Sequence, residues 1–348
     1  MLYYWLLFGI FAAGTLFTAT IPNLSSRRGD VLLAAASLFM LVLIGLRYEV
    51  GGDWQTYEWM FTSAGRLEFL EALDLGDPGY QALNWLVFKI GFDLWAVNLI
   101  CAAFFTWGLF RFCLTQPLPW AAALVAVPYM VIVVAMGYTR QGVALGILMA
   151  GFAVFLRTGS SLRFAVYVFA AALFHKTAIV AFPLVALASQ RNKFVNWLMV
   201  PALSLWLYDL FLGDAMDKFV SHYVHQHYSA QGAAIRVGMN LFAALVFFVL
   251  RRRLGFSEIE RPLWRNFSFA AVLMMGLLVL LPSSAAVDRM AIYIIPLQLA
   301  VLARTPLLIR SRLPGTILLL GYAFAVQFVW LNFGQFSRLW LPYRFFPI

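Results

Sequence analysis

A short polar stretch, RYEVGGDWQTY at residues 47–57, follows an apolar run that ends at Leu46. Its Asp53 comes directly after two glycines, which allow unusual backbone torsions and close approach of a ligand. A carboxylate in this place is a candidate general base, and we favour that role over the alternative that Asp53 only caps the helix that follows. Glu49 is the next acidic candidate, and we expect it to be an exposed loop charge within reach of a glycan.

Four basic residues lie at the ends of apolar runs, away from the loops that hold most of the arginines: Arg47, Arg140, Lys176 and Arg289. Charges so close to apolar segments usually face a cavity and are candidates for function. Cations that converge on one face suit a polyanion, and the planar guanidinium suits phosphate oxygens. We therefore expect them, with Gln141 beside Arg140, to bind a lipid-linked diphosphate. The alternatives are interfacial anchoring of Arg140 and a local ion pair between Arg289 and Asp288.

One histidine, His175, lies in an apolar stretch between Phe174 and Lys176. It can act as a base or bind phosphate, and a hydrogen-bonded packing role is an equal alternative. Three more histidines occur in HYVHQHY at 222–228, which has no HExxH motif and no cysteine partner. We expect a wet loop there, with neither a metal nor a cofactor.

Several aromatic residues near Asp53 in the sequence, or beside the candidate cations, are possible sugar-stacking surfaces: Tyr48, Trp54, Tyr57, Tyr80 and Tyr138. Belts of tyrosine and tryptophan are also common at membrane interfaces, and that is the default explanation.

Composition defines the class of protein that must position these residues. Of the 348 residues, 63% are hydrophobic and only 11% are charged, and 33 Phe with 12 Trp exceed what a soluble core could hide. The formal charge of +10 is distributed in clusters between apolar runs, which argues for a membrane rather than for nucleic acid. We predict an all-α polytopic membrane protein with a single integral domain, residues 1–348.

The arginine clusters predict which loops are cytoplasmic. That assignment places the loops near 47–80 and 213–236 outside and gives about twelve membrane segments. The apolar run 118–156 is interrupted by GYTRQG at 137–142, which predicts a helical hairpin turning on the outer side. For 161–188 we prefer two short segments meeting near FHKT (174–177) to one tilted helix, because a single crossing would place five arginines of 251–265 outside.

Five motifs resemble, in this order, the EpsG family of membrane proteins, which is related to the Wzy-type polysaccharide polymerases: LRYEVGGDWQTY (46–57), DPGYQALNWL (77–86), YTRQGVALGI (138–147), FHKTAIV (174–180) and DRMAIYIIPLQ (288–298). The resemblance spans about residues 44–300. One departure is Asp77, at an acidic position that we expect to be glutamate more often.

The resemblance implies polymerisation of O-antigen or exopolysaccharide repeat units carried on undecaprenyl diphosphate, at the outer face of the bacterial cytoplasmic (inner) membrane. It also implies a GT-C-like fold whose first long outer loop holds an acidic catalytic residue, and Asp53 matches that placement. Lipid-linked oligosaccharides would be both donor and acceptor, without a nucleotide sugar. The expected partners are a Wzz-type chain-length regulator, a flippase and membrane lipids.

Two other classes of function stay open. A flippase for the same lipid-linked glycan would need cations on both faces or along a path, whereas these cations are predicted at one level. A membrane O-acyltransferase would use a histidine with cytoplasmic access to a thioester donor, whereas His175 is predicted to lie outside.

Overall fold

The structure is a computed structural model and describes residues 1–20, 27–191, 201–202, 205, 232–280 and 284–346. In those residues the chain forms helices and no strand. The α-helices, in chain order, are α1 (Leu2–Thr20), α2 (Arg27–Gly45), α3 (Trp54–Arg66), α4 (Phe69–Leu73), α5 (Pro78–Lys89), α6 (Leu94–Cys113), α7 (Pro119–Ala126), α8 (Thr139–Thr158), α9 (Ser161–Ala172), α10 (Ala181–Ala186), α11 (Ala233–Leu250), α12 (Glu260–Leu280), α13 (Ser284–Ala291), α14 (Pro296–Leu302) and α15 (Arg312–Phe333).

The predicted fold class, an all-α polytopic membrane protein, is confirmed. Within the described residues, seven helices are long and apolar enough to cross a membrane. Four further apolar helices have only 10–17 residues, at or below the roughly 17–25 that a crossing requires. The predicted count of about twelve segments is therefore too high for this part of the chain. Most of the predicted loop 213–236 lies outside the described residues, including the three histidines of HYVHQHY.

Two helical hairpins bring polar residues to one end of the bundle. Helix α7 continues as a π-helix, Val127–Ala135, and the chain then turns at Tyr138 into α8. Helix α9 turns at residues 173–175 into a 3₁₀ helix, Lys176–Val180, followed by α10. The far end of this second hairpin is joined by a 2.8 Å hydrogen bond from the Ser189 hydroxyl to the Gly159 carbonyl. Both turns fall where the interrupted apolar runs predicted them.

The central helices approach one another closely through small residues. A Cβ atom added to Gly108 of α6 would stand 1.7 Å from the Gly146 carbonyl oxygen of α8, so no larger residue fits between these backbones. Small residues at such contacts let membrane helices pack at short range by van der Waals attraction. The contact holds the start of α8 against α6, and the start of α8 carries Arg140.

The loop between α2 and α6 is folded rather than extended, because it contains helices α3, α4 and α5. Its entry is fastened by the segment that follows α15. The Tyr48 amide donates to the Arg344 carbonyl at 3.0 Å, and the Gly51 amide donates to the Leu339 carbonyl at 2.9 Å. The Trp340 side chain beneath is 1% exposed and donates from its indole nitrogen to the Ile132 carbonyl at 2.7 Å. The carboxyl-terminal segment therefore contacts both the entry of this loop and the π-helix that precedes the turn into α8.

Candidate functional site

Four segments meet at one end of the bundle, which we call the Asp53 end. They are the stretch 47–57, the start of α5, the turn into α8 and the apex of the α9–α10 hairpin. The Gly79 amide of α5 donates to the Leu173 carbonyl of the hairpin apex at 2.7 Å. Gly51 has a φ of +109°, and a Cβ there would lie 2.6 Å from the Met136 carbonyl oxygen. Only glycine fits both this torsion and this space, so Gly51 lets the loop carrying Asp53 lie against the turn into α8.

An ion pair between Asp77 and Arg140 lies at the centre of this end. The guanidinium Nη1 of Arg140 contacts Oδ2 of Asp77 at 2.8 Å, and the Lys176 amide donates to Oδ1 at 3.3 Å. The Asp77 side chain is 6% exposed and the Arg140 side chain is 26% exposed. Asp77 therefore connects α5, α8 and the hairpin apex, while part of the Arg140 guanidinium still reaches the surface.

Asp53 occupies the N-cap position of α3 but does not cap the helix through its side chain. No amide of α3 donates a hydrogen bond to the Asp53 carboxylate. Burial raises the pKa of Asp53 above its ordinary value, and the positive charges of Arg289 and Arg140 oppose that rise. The carboxylate thus lies within electrostatic range of two predicted diphosphate ligands, one from α8 and one from α13.

Tyr57 lies one helical turn after Asp53 and joins it to the ion pair. The Tyr57 amide donates to the Asp53 carbonyl at 3.0 Å, and the Tyr57 hydroxyl lies within hydrogen-bonding reach of Arg140. Burial, followed by the charge of Asp53, raises the pKa of Tyr57 to about 12. Tyr57 is therefore a neutral phenol at any physiological pH, able to donate a hydrogen bond toward this end of the bundle.

His175 is half-buried at the hairpin apex, in the same cluster. Burial lowers its pKa well below the ordinary value, and the charges of Arg140, Arg289 and Lys176 lower it further. The imidazole is consequently neutral. Its Nδ1 lies 3.2 Å from the Thr177 hydroxyl, and a neutral ring with one nitrogen engaged can accept or donate a proton through the other.

Arg289 is exposed on α13, and its neighbour Asp288 is held by another arginine. Arg236 of α11 donates from Nε to Oδ1 of Asp288 and from Nη2 to Oδ2, both at 2.6 Å. This bidentate pair occupies both oxygens of the Asp288 carboxylate and connects α11 with α13. The positive charge of Arg289 lowers the pKa of Asp53 and that of His175.

The predicted role of Arg47 in diphosphate binding does not fit its position. Arg47 is 1% exposed, and its guanidinium donates to the Ile44 carbonyl at 2.6 Å, to Asn98 Oδ1 at 3.0 Å and to the Thr139 hydroxyl at 2.6 Å. These contacts join α2, α6 and the start of α8 below the cluster. Arg47 therefore supports the site from within the protein.

Gln141 is also buried, at 5% exposure, and its amide nitrogen has no hydrogen-bond partner among the described residues. A buried donor without an acceptor is costly. Gln141 consequently stays a candidate for ligand binding, although its neighbour Arg140 has the more accessible side chain.

The aromatic candidates divide by exposure. Tyr48 is 40% exposed and packs edge-on against the half-buried Trp54 at 5.6 Å between ring centroids. Tyr57 and Tyr80 are 3% and 0% exposed and pack against each other at 5.7 Å. In this conformation those two rings offer no free face to a sugar, whereas Tyr48, Trp54 and the half-buried Tyr138 still line the surface. Glu49 is exposed as expected, and it pairs with Arg344.

Asp77 was not among the residues predicted for the site. Its only sequence signal was its place at the start of the motif DPGYQALNWL, where the following Pro78 is typical of the first turn of a helix. Nothing local in that motif indicates Arg140 as the partner of Asp77, because the two residues are 63 positions apart.

The fold and the cluster define a polytopic helical membrane protein with cations, carboxylates and a neutral histidine gathered at one end. Residues 30–345 match the model of the EpsG family, which covers nearly the whole chain. The protein belongs to the EpsG family, a family of Wzy-type polysaccharide polymerases. No curated protein and no solved structure matches the chain.

Proposed function

We propose that this protein polymerises oligosaccharide repeat units that are linked to undecaprenyl diphosphate, at the outer face of the bacterial cytoplasmic membrane. One lipid-linked glycan is the donor and a second lipid-linked repeat unit is the acceptor. The family supports a general role in polysaccharide polymerisation. The cluster at the Asp53 end supports the choice of a diphosphate as the leaving group, because it combines cations with a carboxylate that has no capping role.

In the proposed reaction, a hydroxyl oxygen of the acceptor sugar attacks the anomeric carbon of the donor. The bond between that carbon and the diphosphate oxygen breaks, and undecaprenyl diphosphate departs with the bonding electron pair. The Asp53 carboxylate accepts the proton of the attacking hydroxyl. Arg140, Arg289 and Lys176 stabilise the charge that develops on the departing diphosphate.

Asp77 and His175 have supporting parts in this scheme. Asp77 holds one edge of the Arg140 guanidinium and accepts from the Lys176 backbone amide, so it orients Arg140 and fixes the backbone that carries Lys176. His175 is neutral and lies near the same cations. It can orient a sugar hydroxyl, and it is the second candidate for the base.

The observation that carries the proposal is the state of Asp53. A carboxylate at an N-cap normally accepts a hydrogen bond from the first turn of its helix, but the Asp53 side chain accepts none from α3. It lies instead in the field of Arg289 and Arg140, in partly buried surroundings that raise its pKa. A raised pKa makes a carboxylate a stronger base for a hydroxyl proton.

Purified protein and a purified lipid-linked repeat unit are sufficient for the test. We expect polymer to form with one undecaprenyl diphosphate released per linkage. We expect Asp53→Asn to fold normally and to lower the rate by about 10²–10⁴-fold, the usual contribution of a general base. Asp93→Asn is the matched control, because Asp93 is also an N-cap without a side-chain capping bond but is exposed at the start of α6.

Each other outcome changes the assignment. Long polymer from Asp53→Asn would remove Asp53 as the base, and His175→Ala would then be compared with wild type. If wild-type protein moves the lipid-linked glycan across the bilayer of proteoliposomes but forms no glycosidic linkage, the protein is a flippase and the proposed function is wrong.

A further inference from the structure

An apolar groove runs between helices α11 and α15, beside the candidate site. Its volume is about 470 Å³, within the range of about 300–1,000 Å³ for ligand sites. Ile235 and Met239 of α11 form one wall, and Ala325, Val329 and Phe333 of α15 form the other. Several of these side chains are exposed, so the groove opens to the hydrocarbon region that the helices cross.

The groove differs from ordinary lipid-facing surface because it has polar atoms at its inner side. Tyr129, which lines the groove, is 7% exposed, and its hydroxyl has no hydrogen-bond partner among the described residues. The indole nitrogen of Trp330, also in the lining, is buried and equally without an acceptor in that part of the chain. Unpaired donors in apolar surroundings are costly, so the expected occupant has an oxygen-bearing head as well as an apolar chain.

Contacts of these residues lead from the groove to the cluster at the Asp53 end. Trp330 packs edge-on against Trp340 at 5.5 Å between ring centroids. A Cβ on Gly137 would lie 2.2 Å from the Trp340 ring, so this ring packs on the turn into α8. Tyr138, the next residue, lies within electrostatic range of Arg236 and Asp288 on the groove side and of Asp53 on the site side.

We propose that this groove binds the isoprenoid chain of the lipid diphosphate, with the Tyr129 hydroxyl donating to the oxygen that joins the chain to the first phosphate. The proposal rests on the proposed function. A chain lying between α11 and α15 places its diphosphate past Tyr138, next to Arg289 and Arg140. The cations there complement the negative charge of such a head.

Photolabelling tests the groove without requiring catalysis. Full-length protein in nanodiscs of phosphatidylethanolamine and phosphatidylglycerol is labelled with a diazirine-bearing isoprenyl diphosphate, and labelled peptides are located by mass spectrometry. We expect label on α11 and α15, removed by excess undecaprenyl diphosphate and retained in excess phosphatidylglycerol. Label confined to other helices, or equal competition by phosphatidylglycerol, would overturn the proposal.

A matched pair of variants measures the effect of the groove on the reaction. Val329→Trp fills the groove, whereas Val279→Trp places the same bulk on an open face of α12, where the valine is 78% exposed. We expect Val329→Trp to raise KM for the long-chain substrate about tenfold, the affinity carried by roughly two buried methylene groups, and to raise it less for an analogue with a ten-carbon chain, which buries fewer methylene groups in the groove. Val279→Trp should resemble wild type with both substrates.

A second variant, Tyr129→Phe, keeps the ring and removes only the hydroxyl. It allows the groove to be tested even if Val329→Trp does not fold. We expect it to weaken diphosphate-dependent labelling about tenfold or more, the usual effect of losing a hydrogen bond to a charged group. Polymerisation without labelling in the groove would reject the groove alone. Labelling in the groove without any polymerisation would reject the proposed function while retaining the groove.

Discussion

The ion pair between Asp77 and Arg140 leads to a quantitative prediction for stability. Asp77→Asn preserves the shape of the side chain and an oxygen that can accept from the Lys176 amide. The change removes the charge opposite Arg140, whose Nη1 lies 2.8 Å from the Asp77 carboxylate. A charge left buried without its partner costs about 3–5 kcal/mol. The Arg140 side chain is 26% exposed, so water compensates for part of that cost and we expect a loss of about 2–3 kcal/mol.

A double-mutant cycle separates this electrostatic coupling from changes in packing. Asp77→Asn, Arg140→Gln and the double variant are compared with wild type by reversible unfolding in mixed micelles. Residues in one ion pair show interaction free energies of about 0.5–3 kcal/mol in such cycles. We expect the double variant to be more stable than the sum of the single effects indicates, because neither charge is then left alone.

The exposed pair of Glu49 and Arg344 is the internal control. Its side chains are 45% and 52% exposed, and exposed ion pairs typically contribute about 0–1 kcal/mol. Glu49→Gln should therefore change the free energy of unfolding by less than 1 kcal/mol. The inference that burial makes the Asp77–Arg140 ion pair stabilising would be refuted by either of two results. One is additive changes in the free energy of unfolding at Asp77 and Arg140, and the other is a coupling free energy no larger than that of the control pair.

Three further predictions concern activity and the loop that carries the candidate base. Arg140→Lys should lower the polymerisation rate about tenfold to a hundredfold, because a point charge cannot replace a fork of donors; near-normal polymer from a stably expressed variant would contradict this. Gly51→Ala should destabilise the protein by about 1–3 kcal/mol, whereas Gly52→Ala, with no atom closer than 3.7 Å to the added Cβ, should be tolerated in the same unfolding assay. In a pH–rate profile, activity should fall as pH falls through the raised pKa of Asp53, because the carboxylate is the active form. Asp53→Asn should lack this acidic limb. An acidic limb that persists in the variant would assign the titration to another group.

Hydropathy and charge predicted much of the fold because a bilayer leaves few options for the backbone. Every buried amide in hydrocarbon must be paired within its own segment, so long apolar runs become helices. The interruption at GYTRQG and the short polar FHKT were sufficient to predict two turns. The number of crossings was harder to predict, because hydropathy alone does not separate a full crossing from an apolar helix of only 10–17 residues.

The candidate site was predictable only in part, because side-chain direction depends on contacts that are distant in the chain. Arg47 and Arg140 have similar sequence surroundings at the ends of apolar runs, yet Arg47 is buried by Asn98 and Thr139 while Arg140 reaches the surface. The aromatic and basic carboxyl-terminal segment has the composition of an interfacial anchor. It instead supports the 47–51 stretch, through Trp340 and backbone hydrogen bonds across almost 300 positions.

The charges of the cluster also indicate how binding of the donor would change the base. Among the described residues of the cluster, Arg140, Lys176 and Arg289 oppose the carboxylates of Asp53 and Asp77, which leaves one positive charge in excess while His175 is neutral. Arg289 and Arg140 lower the pKa of Asp53 against the effect of burial. A bound diphosphate would neutralise them, so the pKa of Asp53 would rise further toward the working pH. In the proposed reaction, binding of the donor diphosphate therefore makes Asp53 a stronger base. Asp53 would be most basic only when the donor is bound, which is when it must accept the proton of the acceptor hydroxyl.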